Sequence, residues 1–157
     1  MEQPEFLTRE GYENLERELV YLTTVRRSEV AQRLHQALEE DWDLLESSEL
    51  EDARNEQAFL EGRIQMLKGV LSNAVLIEET ESHDRVELGS YVTIVDLDGD
   101  GAPETYRVVG SAEANPISGS ISNESPLGRG LVGRRVGDQI DIDAPGGRMV
   151  FRIVEIR

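Results

Sequence analysis

Asp43 and Glu46 stand three residues apart, and one turn of helix between them would put both carboxylates on the same side. Oxygen ligands of this kind suit Mg²⁺, which commonly takes one or two protein carboxylates and completes its shell with water or phosphate oxygens. Their surroundings carry one sign of charge. From Leu34 to Ala53 the sequence holds eight carboxylates, Asp41 among them, and no Lys or Arg. An acidic turn can also be plain solvated surface, so spacing alone leaves both readings open. Asp96-x-Asp98-x-Asp100-Gly101 matches the first half of a calcium loop, but Arg107 stands where a bidentate Glu is needed and the flanking runs read as strands. A hairpin turn is the better account. His35 and His83 have no acid or nucleophile at a known spacing, cysteine is absent, and no phosphate loop or dinucleotide fingerprint occurs. A free-standing enzyme is not expected.

The acidic pair is placed by a hydrophobic ladder. Leu50, Ala53, Gln57, Leu60, Ile64, Leu67 and Leu71 follow alternating steps of three and four, the seam of a coiled-coil helix. Upstream, Leu15, Leu19 and Leu22 match Leu71, Leu67 and Ile64 with residue numbers that sum to 86; Val30, Leu34 and Ala37 match Gln57, Ala53 and Leu50 with a sum of 87. That symmetry predicts an antiparallel helical hairpin with its apex at Asp43 or Leu44. Its arms run from about Thr8, a candidate N-cap, to Asp41 and from about Glu46 to Ser72. Trp42, the sole tryptophan, sits beside the apex, either as a cap over the hairpin end or as an aromatic anchor for a partner. The competing arrangement is one continuous helix that dimerises.

Beyond His83 the period changes to that of strands. Tyr91–Val95 and Thr105–Val109 read as one hairpin, Gln139–Asp143 and Met149–Ile156 as another, turning at Pro145-Gly146-Gly147. Between them Ser125 reads as an N-cap with Pro126 at the first helical position of a short helix through Leu131. The fold class is therefore α+β: an antiparallel coiled coil over residues 1–78 and a small antiparallel sheet with one short helix over 79–157.

The net charge is −16, and residues 1–79 carry 8 basic against 19 acidic groups. Such a surface disfavours free DNA or RNA, which needs concentrated Lys and Arg. No apolar stretch is long enough for a membrane span, and a cytoplasmic protein with no membrane partner is expected.

Specific motifs then add a family. Leu7-Thr8-x-x-Gly11, Val25-Arg26-Arg27-x-Glu29-Val30-Ala31, Asn55-Glu56-Gln57-x-Phe59-x-Glu61-Gly62-Arg63-Ile64 and Leu71-Ser72-Asn73-Ala74 resemble the coiled coil of the bacterial GreA/GreB transcription elongation factors. Ser125-Pro126-Leu127-Gly128-Arg129-Gly130-Leu131-Val132-Gly133, Val136-Gly137-Asp138 and Pro145-Gly146-Gly147 resemble that family's globular domain. The resemblance covers nearly the whole chain. It implies an FKBP-like second domain that docks on RNA polymerase around Ser125 and Pro126, and a coiled coil that enters the secondary channel. There Asp43 and Glu46 would share a Mg²⁺ with the polymerase active site, no cofactor being bound by the factor alone, and Arg54 would meet the nascent RNA 3′ end. The polymerase then hydrolyses backtracked RNA.

The tip departs from the family pattern. Where the family reads Gly-Asp-Leu-x-Glu-Asn-Ala-Glu-Tyr, this chain has Trp42, Asp43, Leu44, Leu45, Glu46, Ser47, Ser48, Glu49 and Leu50, with one additional residue between Arg33 and Asp43. The alternative expectation is a non-cleaving homologue that occupies the channel and inhibits. From fold alone, a prolyl isomerase is a further possibility.

Overall fold

The computed structural model describes residues 3–40, 48–78 and 83–157. The chain divides into two compact units, Tyr12–Asn73 and the residues up to Gly11 together with Ala74–Arg157. The first eleven residues thus group with the second half, whereas the sequence division at residue 78 assigned them to the coiled coil. The reason is a strand that local pattern did not reveal: β1 (Glu5–Leu7) pairs in parallel with β2 (Ala74–Leu76), and the amide of Ile77 extends the ladder to the Leu7 carbonyl at 2.7 Å.

Helix α1 (Arg9–Tyr21) starts as expected at Thr8, whose Oγ1 accepts from the Gly11 amide at 3.0 Å. It passes into a π-helical turn over Leu22–Arg26 and continues as α2 (Arg27–Glu40). The returning arm is α3 (Ser48–Ser72), closed where Ser72 Oγ and the Asn73 amide both donate to the Gly69 carbonyl. Val30, Leu60 and Ile64 are buried in one layer with Leu19 and Leu22 packed beside them; Ala37, Leu50 and Ala53 form another with Leu34. The antiparallel hairpin is therefore present. Gln57, assigned to the seam by the ladder, is instead exposed, and Val30 packs against Leu60 and Ile64. A polar amide gains nothing from a dry seam, and the neighbouring leucine and isoleucine fill the space.

The π turn has a visible cause. Leu22 and Val30 both belong to the seam but lie eight residues apart, which in a regular helix of about 100° per residue overshoots two turns by about 80°. The wider turn takes up the extra residue. It leaves carbonyls without their usual i+4 donors, and Thr23 Oγ1 donates to the Leu19 carbonyl at 2.8 Å while Thr24 Oγ1 donates to that of Val20 at 2.6 Å.

In the other unit five strands align in the order β5-β4-β3-β7-β6, with β3 (Tyr91–Asp96), β4 (Pro103–Val109), β5 (Ser120–Ser122), β6 (Gln139–Ala144) and β7 (Gly147–Ile156). Both expected hairpins form. The sheet is not wholly antiparallel, however, because β5 lies parallel to β4. Alternate residues of β3, β6 and β7 point inward, so that Val92, Ile94, Ile140, Ile142, Phe151 and Ile153 build the core. Helix α4 (Pro126–Leu131) closes it with Leu131. No described helix is long and apolar enough to cross a membrane.

Candidate functional site at the hairpin end and the α4 groove

Asp41, Trp42, Asp43, Glu46 and Ser47 lie outside the described residues. What the structure gives is the pair of arms that carry them. Both arms are joined up to the connection: Ala37, six per cent exposed, packs with Leu50 and Ala53, which are three and zero per cent exposed. Small alanines on facing arms permit a close approach. This layer fixes the last described turn of α2 and the first of α3, and the connection that contains Asp43 and Glu46 spans only the residues between them.

Farther along the arms, arginines and glutamates staple the two helices together. Arg27 reaches Glu61 with two bonds of 2.9 Å, and Arg63 reaches Glu18 with bonds of 2.8 and 2.9 Å. Glu56 receives both Arg26 and Arg33 from the opposite arm. The bonds to Glu61 and Glu18 hold the Arg27 and Arg63 guanidiniums above their ordinary range, Arg26 is held above its own first by a bond to Glu29 on the same arm and then by Glu56, and hydrogen bonds from Arg27 hold the Glu61 carboxyl below its ordinary range. Arg54 is different. It is exposed on α3, one residue past the buried Ala53, and has no hydrogen bond or ion pair among the described residues. An unpaired guanidinium at the carboxylate-rich end can meet a phosphate without first breaking a salt bridge.

The second expected site is built around α4. Ser125 Oγ accepts from the Gly128 amide at 3.1 Å and donates to the Ser122 carbonyl at 2.6 Å, so the side chain caps the helix and ties it to β5. Pro126 occupies the first helical turn, where its missing N–H costs nothing. Gly128 is required by space, since a Cβ there would overlap the Ser122 carbonyl oxygen. Ser125, Pro126 and Leu127 form one wall of a groove of about 470 Å³ whose floor includes Ile94, Ile142 and Phe151. Its other wall carries Asp96, Asp100, Glu104 and Tyr106. Tyr106 donates to Glu104 Oε2 at 2.6 Å, and that bond, with partial burial, pushes the phenol up to about 12. An apolar floor beside carboxylates is chemically matched to an amphipathic segment with basic residues.

In the β3–β4 turn two carboxylates of the calcium-like run bond the backbone. Asp96 Oδ1 accepts from the Asp98 amide at 2.9 Å and Asp100 Oδ1 from the Ala102 amide at 3.0 Å, so these carboxylates serve the turn itself. Among the described residues no group of three or more His, Asp or Glu is disposed to hold a metal ion.

Comparison with known proteins decides the family. The model of the GreA/GreB transcription elongation factor N-terminal domain matches residues 5–76, and that of the GreA/GreB C-terminal domain matches residues 81–157. The chain belongs to the GreA/GreB transcription elongation factor family. Among GreA/GreB relatives, the transcription elongation factor GreA of Geobacillus kaustophilus is 51% identical over 152 residues, covering 96% of this chain and 95% of that protein. GreA of Chloroflexus aurantiacus is 50% identical over 157 residues, with 99% of each chain covered. A solved structure of the GreA homologue Gfh1 from Thermus thermophilus is 38% identical over 99% of each chain, with a TM-score of 0.45.

In this GreA/GreB chain, Arg54 lies on the arm that leads from the acidic tip, while Ser125 and Pro126 belong to the other unit. A further anchor escaped the sequence. Glu113 accepts from the Thr8 amide at 3.0 Å and from its hydroxyl, and a Cβ on Gly11 would run into the Glu113 carboxylate. With the partners 105 positions apart, no local pattern could have revealed it; only Gly11, a poor helix former in an otherwise strong first turn, hinted at close packing.

Proposed function

We propose that this GreA/GreB family chain binds RNA polymerase through the secondary channel and stimulates cleavage of the 3′ end of backtracked RNA. It is an accessory factor, and the polymerase performs the hydrolysis. The observation that carries the reading is the antiparallel hairpin, whose two arms remain packed up to a connection containing Asp43 and Glu46. Family membership over nearly the full length supports the same reading.

Asp43 and Glu46 form an all-oxygen donor set, which fits a hard cation, and two carboxylates are what Mg²⁺ commonly accepts from a protein while water and phosphate supply the remainder. A shared Mg²⁺ would contribute Lewis-acid charge to phosphoryl hydrolysis. The chain's own residues do the rest: the arms deliver the carboxylates, Arg54 offers a guanidinium to the RNA backbone, and the α4 groove holds a basic amphipathic segment of the polymerase. The second domain is read as FKBP-like, and the groove as its docking face.

A second reading is an inhibitor that occupies the channel without cleavage. It is favoured by the eight carboxylates from Leu34 to Ala53, with Trp42 and Ser47 standing where the family pattern has Gly and Asn. Stalled, backtracked complexes of the cognate polymerase with labelled RNA separate the two. Under the first reading the RNA shortens from its 3′ end, and Asp43→Ala abolishes shortening while polymerase binding persists. Intact RNA with slowed nucleotide addition would establish the second reading, and equal loss of cleavage and binding in Asp43→Ala would refute the division of labour.

A further inference from the structure

Three side chains line up at one end of strands β4, β3 and β7, on the sheet face opposite the core. Tyr91 is the register partner of Arg107 on β4, and it exchanges backbone bonds of 2.8 Å with Arg157, the residue after β7. The Arg107 guanidinium lies 5.0 Å and that of Arg157 6.0 Å from the Tyr91 ring centroid. Arg107 is also fixed by a bond of 3.3 Å from Nε to the Gly89 carbonyl. The row opens into a cavity of about 530 Å³ that Arg9 and His83 also line, with Leu76, Ile77 and Leu88 as apolar wall.

Charge makes this cavity unusual for the molecule. Carboxylates outnumber Lys and Arg by 32 to 16, yet three guanidiniums, those of Arg9, Arg107 and Arg157, line this one cavity. Arg9 and Arg107 have no carboxylate partner among the described residues, and Arg157 has only a loose one, Glu155 at 3.6 Å. Among the described residues one carboxylate, Glu78, lines the cavity beside three guanidiniums. The long-range field of a chain at −16 repels anions, but at physiological salt it is damped over about 8 Å, so the groups lining the cavity decide. Guanidiniums with open donors match phosphate oxygens in pairs. The volume falls within the usual range for small-molecule sites, and the aliphatic wall can cover a flat ring.

We propose that this cavity binds a nucleoside di- or triphosphate, with Arg107 and Arg9 on the phosphates and Leu76, Ile77 and Leu88 against the base. It is a site separate from the acidic tip and the α4 groove, and its occupancy does not depend on polymerase. The test is titration of the full-length protein with ATP and, separately, with inorganic pyrophosphate, followed by calorimetry and by amide chemical shifts. Saturable ATP binding is expected, with shifts centred on Gly89, Ser90 and Tyr91 and weaker binding of pyrophosphate. Arg107→Gln should weaken ATP binding by roughly tenfold or more with unchanged far-ultraviolet circular dichroism, and Arg107→Lys by less. Absence of saturation at millimolar ATP, shifts located elsewhere, or full affinity in both Arg107→Gln and Arg9→Gln would overturn the site. Equal affinity for pyrophosphate and ATP would overturn the role of the apolar wall.

Discussion

If the π turn exists to absorb one surplus residue, removing that residue should be nearly harmless, and adding another should not. Deleting Thr24 brings Leu22 and Val30 to a spacing of seven, which is about 20° short of two helical turns, and both stay in the seam of a continuous α-helix. The loss is the exposed bond from Thr24 to the Val20 carbonyl, worth about 0.5–1 kcal/mol, against which regular backbone bonds are regained. Inserting an alanine after Thr24 instead turns the rest of the arm by about 100°. Val30, two per cent exposed, then leaves the seam together with the half-buried Leu34 and the small Ala37. Exposing the valine costs about 1.5–3 kcal/mol, and the half-buried leucine raises the total to roughly 3–4 kcal/mol. The assay is urea unfolding of the full-length protein followed at 222 nm, where the helical arms dominate the signal. With a slope near 2 kcal/mol per molar, the insertion should lower the midpoint by about 1.5–2 M and the deletion by less than about 0.5 M. A deletion as damaging as the insertion would refute the register argument.

Two further outcomes follow from the second unit. Ser125→Ala removes the cap of α4 and should cost about 1 kcal/mol, whereas Gly128→Ala should cost distinctly more because the new methyl meets backbone at Ser122; thermal unfolding of both variants checks the order. Tyr106 should ionise with a midpoint near 12, against an ordinary value of 10, in an absorbance titration at 295 nm, and Glu104→Gln should bring it down. The sign is that of a raised pKa: the Tyr106–Glu104 bond contributes below pH 10 and is lost as the pH rises through 12, so this pair adds no pH dependence near neutrality.

The parts of the fold that sequence made legible are those set by short-range periodicity. The leucine ladder located both arms, and Ser125-Pro126 located α4, because a cap and a proline act within one turn. Even the π turn left a trace, the change of paired sums from 86 at Leu22 to 87 at Leu34 and Ala37. Strand β1 left none: three residues that pair with a strand beyond the whole hairpin carry no period of their own. The same holds for β5, whose parallel neighbour lies across an irregular connection, and for Glu113, whose partner is set by tertiary contact alone. At the candidate site, acidity and family motifs proposed the tip residues, which lie outside the described residues, and a docking role for Ser125 and Pro126. That Arg54 has no carboxylate partner among the described residues was invisible, because it depends on which arginines other glutamates engage.

The parallel pairing of β1 with β2 has a consequence for the order in which the molecule assembles. Joining Leu7 to Ala74 across an open chain would close a loop of about 67 residues, at an entropic cost of roughly 4 kcal/mol for three bonded residues a side. Once the arms have zipped, their two ends are already neighbours, and little of that cost remains. Strand β1 is therefore among the last to find its place, waiting for a partner made some seventy residues later. Pulse-labelled hydrogen exchange during refolding should see the Ile77 amide, which donates to Leu7, gain protection after the seam amides around Leu60 and Ile64. Simultaneous or earlier protection of Ile77 would mean that the strands meet before the arms do.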